Sequence, residues 1–233
     1  LKGELLVDKL TKALYSTDAS VYRKIPIAVA YPKTVADIKQ LVLFAKENHT
    51  SLIPRTAGTS LAGQCVGDGI VVDVSKYFTN IVPLDEKKKQ ITVQAGVIRD
   101  DLNQYLEPFG LFFGPNTSSS NRCMIGGMVG NNSSGTTSIQ YGVTREKVVS
   151  LKTVLSDGSE AEFSGISSSD FHGKMNENTL EGNIYKNIHK ELNSKEIKEN
   201  ILREFPKKEI HRRNTGYAVD ELLDNPIFGD SSA

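Results

Sequence analysis

Two stretches hold the residues whose types and spacing suit chemistry. The first is Pro54-Arg55-Thr56-Ala57-Gly58-Thr59-Ser60-Leu61-Ala62-Gly63-Gln64. The second is Ile125-Gly126-Gly127-Met128-Val129-Gly130-Asn131-Asn132-Ser133-Ser134-Gly135, followed by Tyr141-Gly142. Each is entered from an apolar run and reads as a loop. Glycine admits positive φ and lets a ligand approach the backbone, and successive N–H groups in such a turn form a nest for anionic oxygens. The pair therefore points to a phosphate-bearing ligand held by two facing loops. Arg55 offers a forked donor. Asn131, Asn132, Ser133 and Ser134 form a run of side-chain donors suited to a polar ligand edge. Gly126-Gly127 taken alone fits a close helix–strand packing point equally well.

Several other chemistries are excluded or lack support. No Gly-Lys-Ser/Thr closes the first loop, so it is not a P-loop, and Gly58, Gly63 and Gly67 do not follow the dinucleotide G-x-G-x-x-G spacing. His49, His172, His189 and His211 lie outside both loops and read as solvated side chains. Cys65 and Cys123 fit no zinc spacing or disulfide framework, so no metal site is expected. With no partner base by motif, they read as small loop residues and not as nucleophiles. The 28 Lys+Arg and 28 Asp+Glu balance to zero net charge, unlike a dedicated nucleic-acid binder. A charged fraction of 24% with 38% apolar residues suits a globular fold. No apolar run approaches the roughly 20 residues of a membrane span, and Leu1–Leu14 does not read as a signal peptide.

The elements that must position the two stretches follow from periodicity. Leu6, Leu10, Ala13 and Leu14 predict a short helix over Leu1–Tyr15, and Ser16–Ala30 reads as extended. Thr34 with Asp37 predicts a capping box, opening a helix that stops near Asn48-His49. Ser51–Pro54 then reads as a strand delivering Arg55, and Ile70–Val74 as an inner strand. Together these predict a strand–helix–strand crossover on a small parallel sheet. Asn80–Leu84 and Gln90–Ala95 suit a hairpin, Ile98–Pro108 a helix with Leu102, Tyr105 and Leu106 inward. Val148–Leu155 and Glu160–Phe163 flank the hairpin turn Ser156-Asp157-Gly158-Ser159. Gly165–Thr179 reads as a long surface loop, and Gly182–Leu192 and Ser194–Glu204 as helices.

Pro54-Arg55-x-x-Gly58-Thr59-Ser60, Asp101-Leu102-Asn103, Gly110-Leu111-Phe112-Phe113-Gly114-Pro115, Ile125-Gly126-Gly127 and Tyr141-Gly142 occur in one order. That order resembles the FAD-binding domain of the vanillyl-alcohol oxidase / p-cresol methylhydroxylase superfamily, over roughly Ser16 to Leu223. Within it, the pattern is most similar to dehydrogenases and oxidases of D-2-hydroxy acids, of the D-lactate, glycolate and D-2-hydroxyglutarate type. The resemblance implies an α+β, p-cresol methylhydroxylase-type fold of two subdomains with FAD between them. Residues 1–82 would form a small one with a parallel sheet and the amino-terminal helix. Residues 83–233 would form a larger one with a mixed or antiparallel sheet, truncated before its end. Pro54, Arg55, Thr56, Ala57, Gly58, Thr59, Ser60, Leu61 and Gln64 would hold the cofactor, with Arg55–Leu61 at the pyrophosphate. Pro115, Asn116, Thr117, Ser118, Gly126, Gly127, Asn131, Ser134, Gly135 and Tyr141 would line the rest of its path. Asn214-Thr215-Gly216-Tyr217 matches a stretch just before the last flavin-binding segment.

The implied activity is oxidation of a D-2-hydroxy acid to the 2-oxo acid by hydride transfer to flavin N5. Electrons would leave to a quinone, an iron–sulfur protein or another acceptor. Some relatives attach FAD through a histidine where this chain has Thr59, so non-covalent FAD is expected. The substrate cap, with the acid and base, is expected outside this chain, and some members also carry an iron–sulfur region there. The fragment alone is then expected to be inactive. The rival readings are an alcohol or sugar oxidase, or a reductase of enolpyruvyl sugars, on the same fold, and a non-catalytic flavin-binding subunit. The expected location is the cytoplasm, peripheral on the inner face of the membrane.

Overall fold

The computed structural model describes residues 1–210, 217–225 and 227–228. It divides into two compact units, Leu1–Val148 and Val149–Ala233. The subdomain boundary expected at 82/83 falls inside the first unit.

The first unit is built on a four-stranded sheet. Its strands are β1 (Glu4–Leu6), β2 (Ala28–Tyr31), β3 (Leu52–Arg55) and β4 (Ile70–Asp73), in the order β1-β2-β4-β3. β4 lies parallel to both β2 and β3, so it is an inner strand as its β-branched run predicts. β1 pairs antiparallel with β2 at the edge. Side chains alternate across this sheet. Ala28, Ala30, Leu52, Ile70 and Val72 pack with Leu41 on one face. Val29, Ile53 and Val71 pack with Cys65, Tyr15 and Tyr31 on the other.

Helix α2 (Val35–Glu47) supplies Leu41 and links β2 to β3. It begins where expected: Thr34 Oγ1 accepts from the Asp37 N–H and Asp37 reciprocates. The 2% exposed Asp37 carboxylate also accepts the N–H groups of Lys2, Gly3 and Lys33. Burial pushes the Asp37 pKa up, but those N–H donors outweigh it and hold the group below its usual range.

That anchor corrects the expectation of one helix over Leu1–Tyr15. Asp37 and the β2 edge claim the backbone of the first residues, making β1. Only past Asp8, which caps the Thr11 N–H, does α1 (Lys9–Leu14) form.

Beyond β4, Asn80–Ala95 makes a loose ribbon held at Ile81–Val93 and Asp85–Gln90, without continuous strands. Helix α3 (Arg99–Leu106) follows, burying Leu102 and Leu106 against Val97. A 3-10 turn, Glu107–Phe109, closes it at Gly110. Ile125–Gly130 forms α4 and Ser138–Tyr141 forms α5, so the front half of the second stretch is helical and not loop. Ile125 and Gly126 donate to the Val97 and Ala95 carbonyls, and Met128 is 1% exposed. These tertiary contacts override the poor helix propensity of three glycines.

The second unit carries the predicted hairpin, β5 (Ser150–Val154) against β6 (Glu160–Ser164). Helices α6 (Ser168–Met175), α7 (Leu180–Leu192), α8 (Lys195–Glu204) and α9 (Val219–Leu223) follow. α6 corrects the reading of Gly165–Thr179 as a loop. Ser167 caps its Asp170 N–H, and Phe171 anchors it in a cluster with Leu192, Ile201 and Phe228. Among the described residues no helix is long and apolar enough to cross a membrane.

Candidate cofactor site

The first stretch leaves β3 at Arg55, at the carboxyl end of the parallel strands, where open α/β sheets take their ligands. Arg55 sits opposite Asp73 in register, and its carbonyl accepts the Val74 N–H. From there the backbone turns on two residues of positive φ, Gly58 (66°) and Gly63 (76°). Ser60 Oγ accepts the N–H groups of Ala62 and Gln64, folding the far end of the loop back on itself. Among the described residues, the N–H groups of Ala57, Gly58 and Thr59 have no intrachain acceptor. These three residues are only half-buried. Consecutive open amides at a strand end form a cradle with the chemistry an anionic diphosphate requires.

The Arg55 guanidinium turns beneath this cradle. Nη1 donates to the Thr17 carbonyl at 2.8 Å, and its carbon lies 5.0 Å from the centroid of the Tyr15 ring. A Cβ at Gly58 would stand 2.5 Å from Arg55 Nη2. Arg55 therefore supports the loop from below as well as contributing positive charge to it.

The two stretches meet inside the first unit. A Cβ on Gly127 would stand 2.6 Å from Thr56 Oγ1, so α4 approaches the first loop at its glycine. Gly126 is equally close to Ala95. Gly135 lies against the Asn116 carbonyl, where any side chain would overlap it, and donates its N–H to Ser138 Oγ at 2.9 Å. Thr137 Oγ1 donates to the Gly114 carbonyl, and Phe112 meets Tyr141 edge-on. Thus Gly114, Asn116 and Thr117 are packed against the Gly135–Tyr141 stretch. Gly127, Asn131 and Ser118 are exposed, while Pro115 and Gly135 are buried. Ser133 is turned inward, its carbonyl taken by Thr144 and its Oγ by Asn131. The Asn132 side chain accepts the Arg145 N–H. Of the run of four donors, part is therefore structural.

Residues missed by sequence reasoning lie behind the site. Arg99 donates to the Phe113 and Pro115 carbonyls, and Asn103 pairs with the Phe113 N–H at 2.7 Å, fixing the segment that leads to Pro115. Tyr15, Tyr31 and Asp73 form a chain of hydrogen bonds beneath Arg55. Tyr31 and Asp73 end two parallel strands, which was the one available signal. Cys65 is buried with its thiol 3.8 Å from Asp18 Oδ2, and burial pushes its pKa up, which suits packing and not nucleophilic attack. The stretch 211–216, with most of the Asn214–Tyr217 motif, lies outside the described residues; Tyr217 is exposed.

The open amides and the glycine contact between loops fit a dinucleotide, and sequence relatives decide its kind. The family model described as "FAD binding domain" matches residues 26–164. The chain belongs to this FAD-binding family. It is 36% identical over 227 residues to D-2-hydroxyglutarate dehydrogenase of Haemophilus influenzae, covering 95% of this chain and 22% of that protein. For D-2-hydroxyglutarate dehydrogenase of Escherichia coli the identity is 38%, over 94% of this chain and 21% of that protein. D-lactate dehydrogenase [cytochrome] 1, mitochondrial, of Saccharomyces cerevisiae is 36% identical over 57% of this chain and 23% of its own length. The chain therefore spans about a fifth of the length of each of these relatives.

Solved structures show the same fold. 6-hydroxy-D-nicotine oxidase from Arthrobacter nicotinovorans superposes with a TM-score of 0.62 at 22% identity, covering 70% of this chain and 36% of the other. Xylooligosaccharide oxidase from Myceliophthora thermophila C1 gives 0.62 at 25% identity, covering 73% and 36%. The fold is thus the p-cresol methylhydroxylase type that the motif order implied.

Proposed function

We propose that this chain is the FAD-holding part of a flavin-dependent dehydrogenase that oxidises a D-2-hydroxy acid to its 2-oxo acid. The match of almost the whole chain to proteins named D-2-hydroxyglutarate dehydrogenase carries the reading. The oxidases sharing the fold have other substrates in their names, so fold alone does not choose between reactions.

In this reading the FAD lies between residues 1–82 and the portion that follows. The open amides of Ala57, Gly58 and Thr59 bind the pyrophosphate, and Arg55 adds positive charge beneath it. Pro115, Asn116, Thr117, Ser118, Gly126, Gly127, Asn131, Ser134, Gly135 and Tyr141 line the rest of the cofactor. The bound flavin supplies the two-electron acceptor, while these residues orient it and set its electrostatics. Thr59 offers no ring nitrogen for a covalent link, so the FAD is held non-covalently. The substrate cap, its acid and base, and the route to a quinone, cytochrome or iron–sulfur acceptor belong to other parts of the enzyme. The two free, buried cysteines fit the reducing cytoplasm expected for it.

The test uses a polypeptide joining this chain to the remainder of such an enzyme. Mixed anaerobically with D-2-hydroxyglutarate or D-lactate, the yellow flavin should bleach, and acid should release it from the protein. Bleaching by an alcohol or sugar but by no hydroxy acid would overturn the assignment.

A further inference from the structure

The stretch 15–22 is not part of the sheet, yet it touches the first loop at every turn. Thr17 offers its carbonyl to Arg55, and Ala19 donates its N–H to the Gly58 carbonyl at 3.1 Å. Asp18 faces the Cys65 thiol, and the Tyr22 ring lies where a Cβ on Gly63 would be 2.7 Å away. At its head stands Tyr15. The Tyr15 hydroxyl donates to Asp73 Oδ2 at 2.6 Å and accepts from the Tyr31 hydroxyl at 2.8 Å, while Asp73 Oδ1 takes the Ser75 N–H. Asp73 is 3% exposed, and the Tyr15 and Tyr31 rings meet edge-on at 6.0 Å. Two strand ends thus fix the Tyr15 ring in place and orientation.

We propose that Tyr15 is a positioning residue for the anion cradle. Its ring, fixed by Asp73 and Tyr31, carries the Arg55 guanidinium under Gly58 and so keeps the amides of Ala57, Gly58 and Thr59 aimed at one point. The inference rests on the proposed placement of the FAD pyrophosphate at this loop. Cation–π attraction over a tyrosine face supplies the hold. Its geometry also explains why Arg55 points down: with Nη1 on the Thr17 carbonyl, the planar fork lies between ring and loop. Burial and the neighbouring Asp73 carboxylate push the Tyr15 phenol far above its ordinary range, so it stays a neutral donor across the whole working pH range.

A residue that merely stabilises the fold would weaken all flavin binding alike. Tyr15 acts at the phosphate end only. The test compares FAD with riboflavin, which lacks phosphate, by fluorescence titration of the unaltered protein, Tyr15→Phe and Tyr15→Leu, with thermal midpoints recorded for each. Tyr15→Leu should weaken FAD about tenfold, the order of a partly desolvated cation–π contact, with riboflavin binding unchanged. Tyr15→Phe keeps the ring and should restore FAD binding to within about threefold of the unaltered protein, since the lost Asp73 bond acts on the ring only indirectly. Equal losses for both ligands, or full FAD affinity in Tyr15→Leu, would overturn the proposal. Should Tyr15→Leu not fold, Tyr15→Met serves instead. It removes the ring while filling much of its space, and should weaken FAD while sparing riboflavin; equal effects on both would again overturn the proposal. All titrations use the polypeptide joining this chain to the remainder of such an enzyme; if that polypeptide with no substitution binds no FAD, the functional reading itself fails, a separate outcome.

Discussion

The two glycine-rich stretches share a composition and use it in opposite ways. In the first, glycine shapes the chain: Gly58 and Gly63 take positive φ, and the amides of Ala57, Gly58 and Thr59 stay open. Around it, side chains do the holding, with Arg55, Ser60, Asp18 and Tyr22 all engaged. In the second, glycine clears space: Gly126, Gly127 and Gly135 let backbone and side chains from elsewhere come within contact. There the backbone amides are largely spent on helix α4 and on Ala95 and Val97. One stretch leaves donors open, and the other draws backbone and side chains together. Similar residues thus do different work because different neighbours surround them.

If that distinction holds, substitutions in the second stretch should fail by overpacking. The largest effect is expected at Gly135. Its added Cβ would overlap the Asn116 carbonyl, a backbone atom that cannot swing aside. Gly135→Ala should cost about 3 kcal/mol, at the upper end of overpacking penalties. That corresponds to a fall of roughly 6–12 °C in Tm for a chain of this size. A Tm unchanged in differential scanning calorimetry would break the assignment of Gly135 to close packing.

A smaller and more diagnostic effect is expected at Gly127. The atom its Cβ would meet is Thr56 Oγ1, at 2.6 Å, on a side chain that another substitution can shorten. Gly127→Ala should destabilise by about 1–2 kcal/mol. Adding Thr56→Ala should recover about 1 kcal/mol of that, the size of coupling expected between touching residues. Urea unfolding of both single variants and the double variant measures it. Strict additivity would mean that the two stretches do not meet as described.

This contrast also sets what could be read from the sequence. Local signals were legible: the Thr34–Asp37 cap, the β-branched run of β4, α3, the hairpin turn after Leu155, and the glycine turn after Arg55. Motif order led to the FAD fold. What failed were elements decided at long range. Residues 4–6 pair with β2 because Asp37, more than thirty residues on, collects the Lys2 and Gly3 N–H groups. Helix α4 forms despite three glycines because Ala95 and Val97 accept its first amides. Helix α6 needed the burial of Phe171 to outweigh its polar run. In the first stretch, the glycine-rich turn was visible but the side chains that support it were not. Tyr15 and Asp73 stand 58 positions apart, and no periodicity joins them.

The smallest expected effect separates the two stretches by pH. Support for the first includes a titrating group, Asp18, whereas the glycine contacts of the second do not titrate. Burial pushes the Asp18 pKa up, but hydrogen bonds from Ser20 and Cys65 outweigh it and hold it below the ordinary 3.8. A carboxylate depressed on folding contributes stability that is fully present above its unfolded value and lost as pH falls through its folded one. The thermal midpoint of the unaltered protein should therefore exceed that of Asp18→Asn by a constant margin above about pH 5, and the margin should shrink as pH drops below 3.8. Gly127→Ala should instead keep its deficit at every pH, since a steric clash carries no proton. If the Asp18→Asn margin is the same at pH 3 as at pH 7, the Asp18 carboxylate does not support the first loop through its charge.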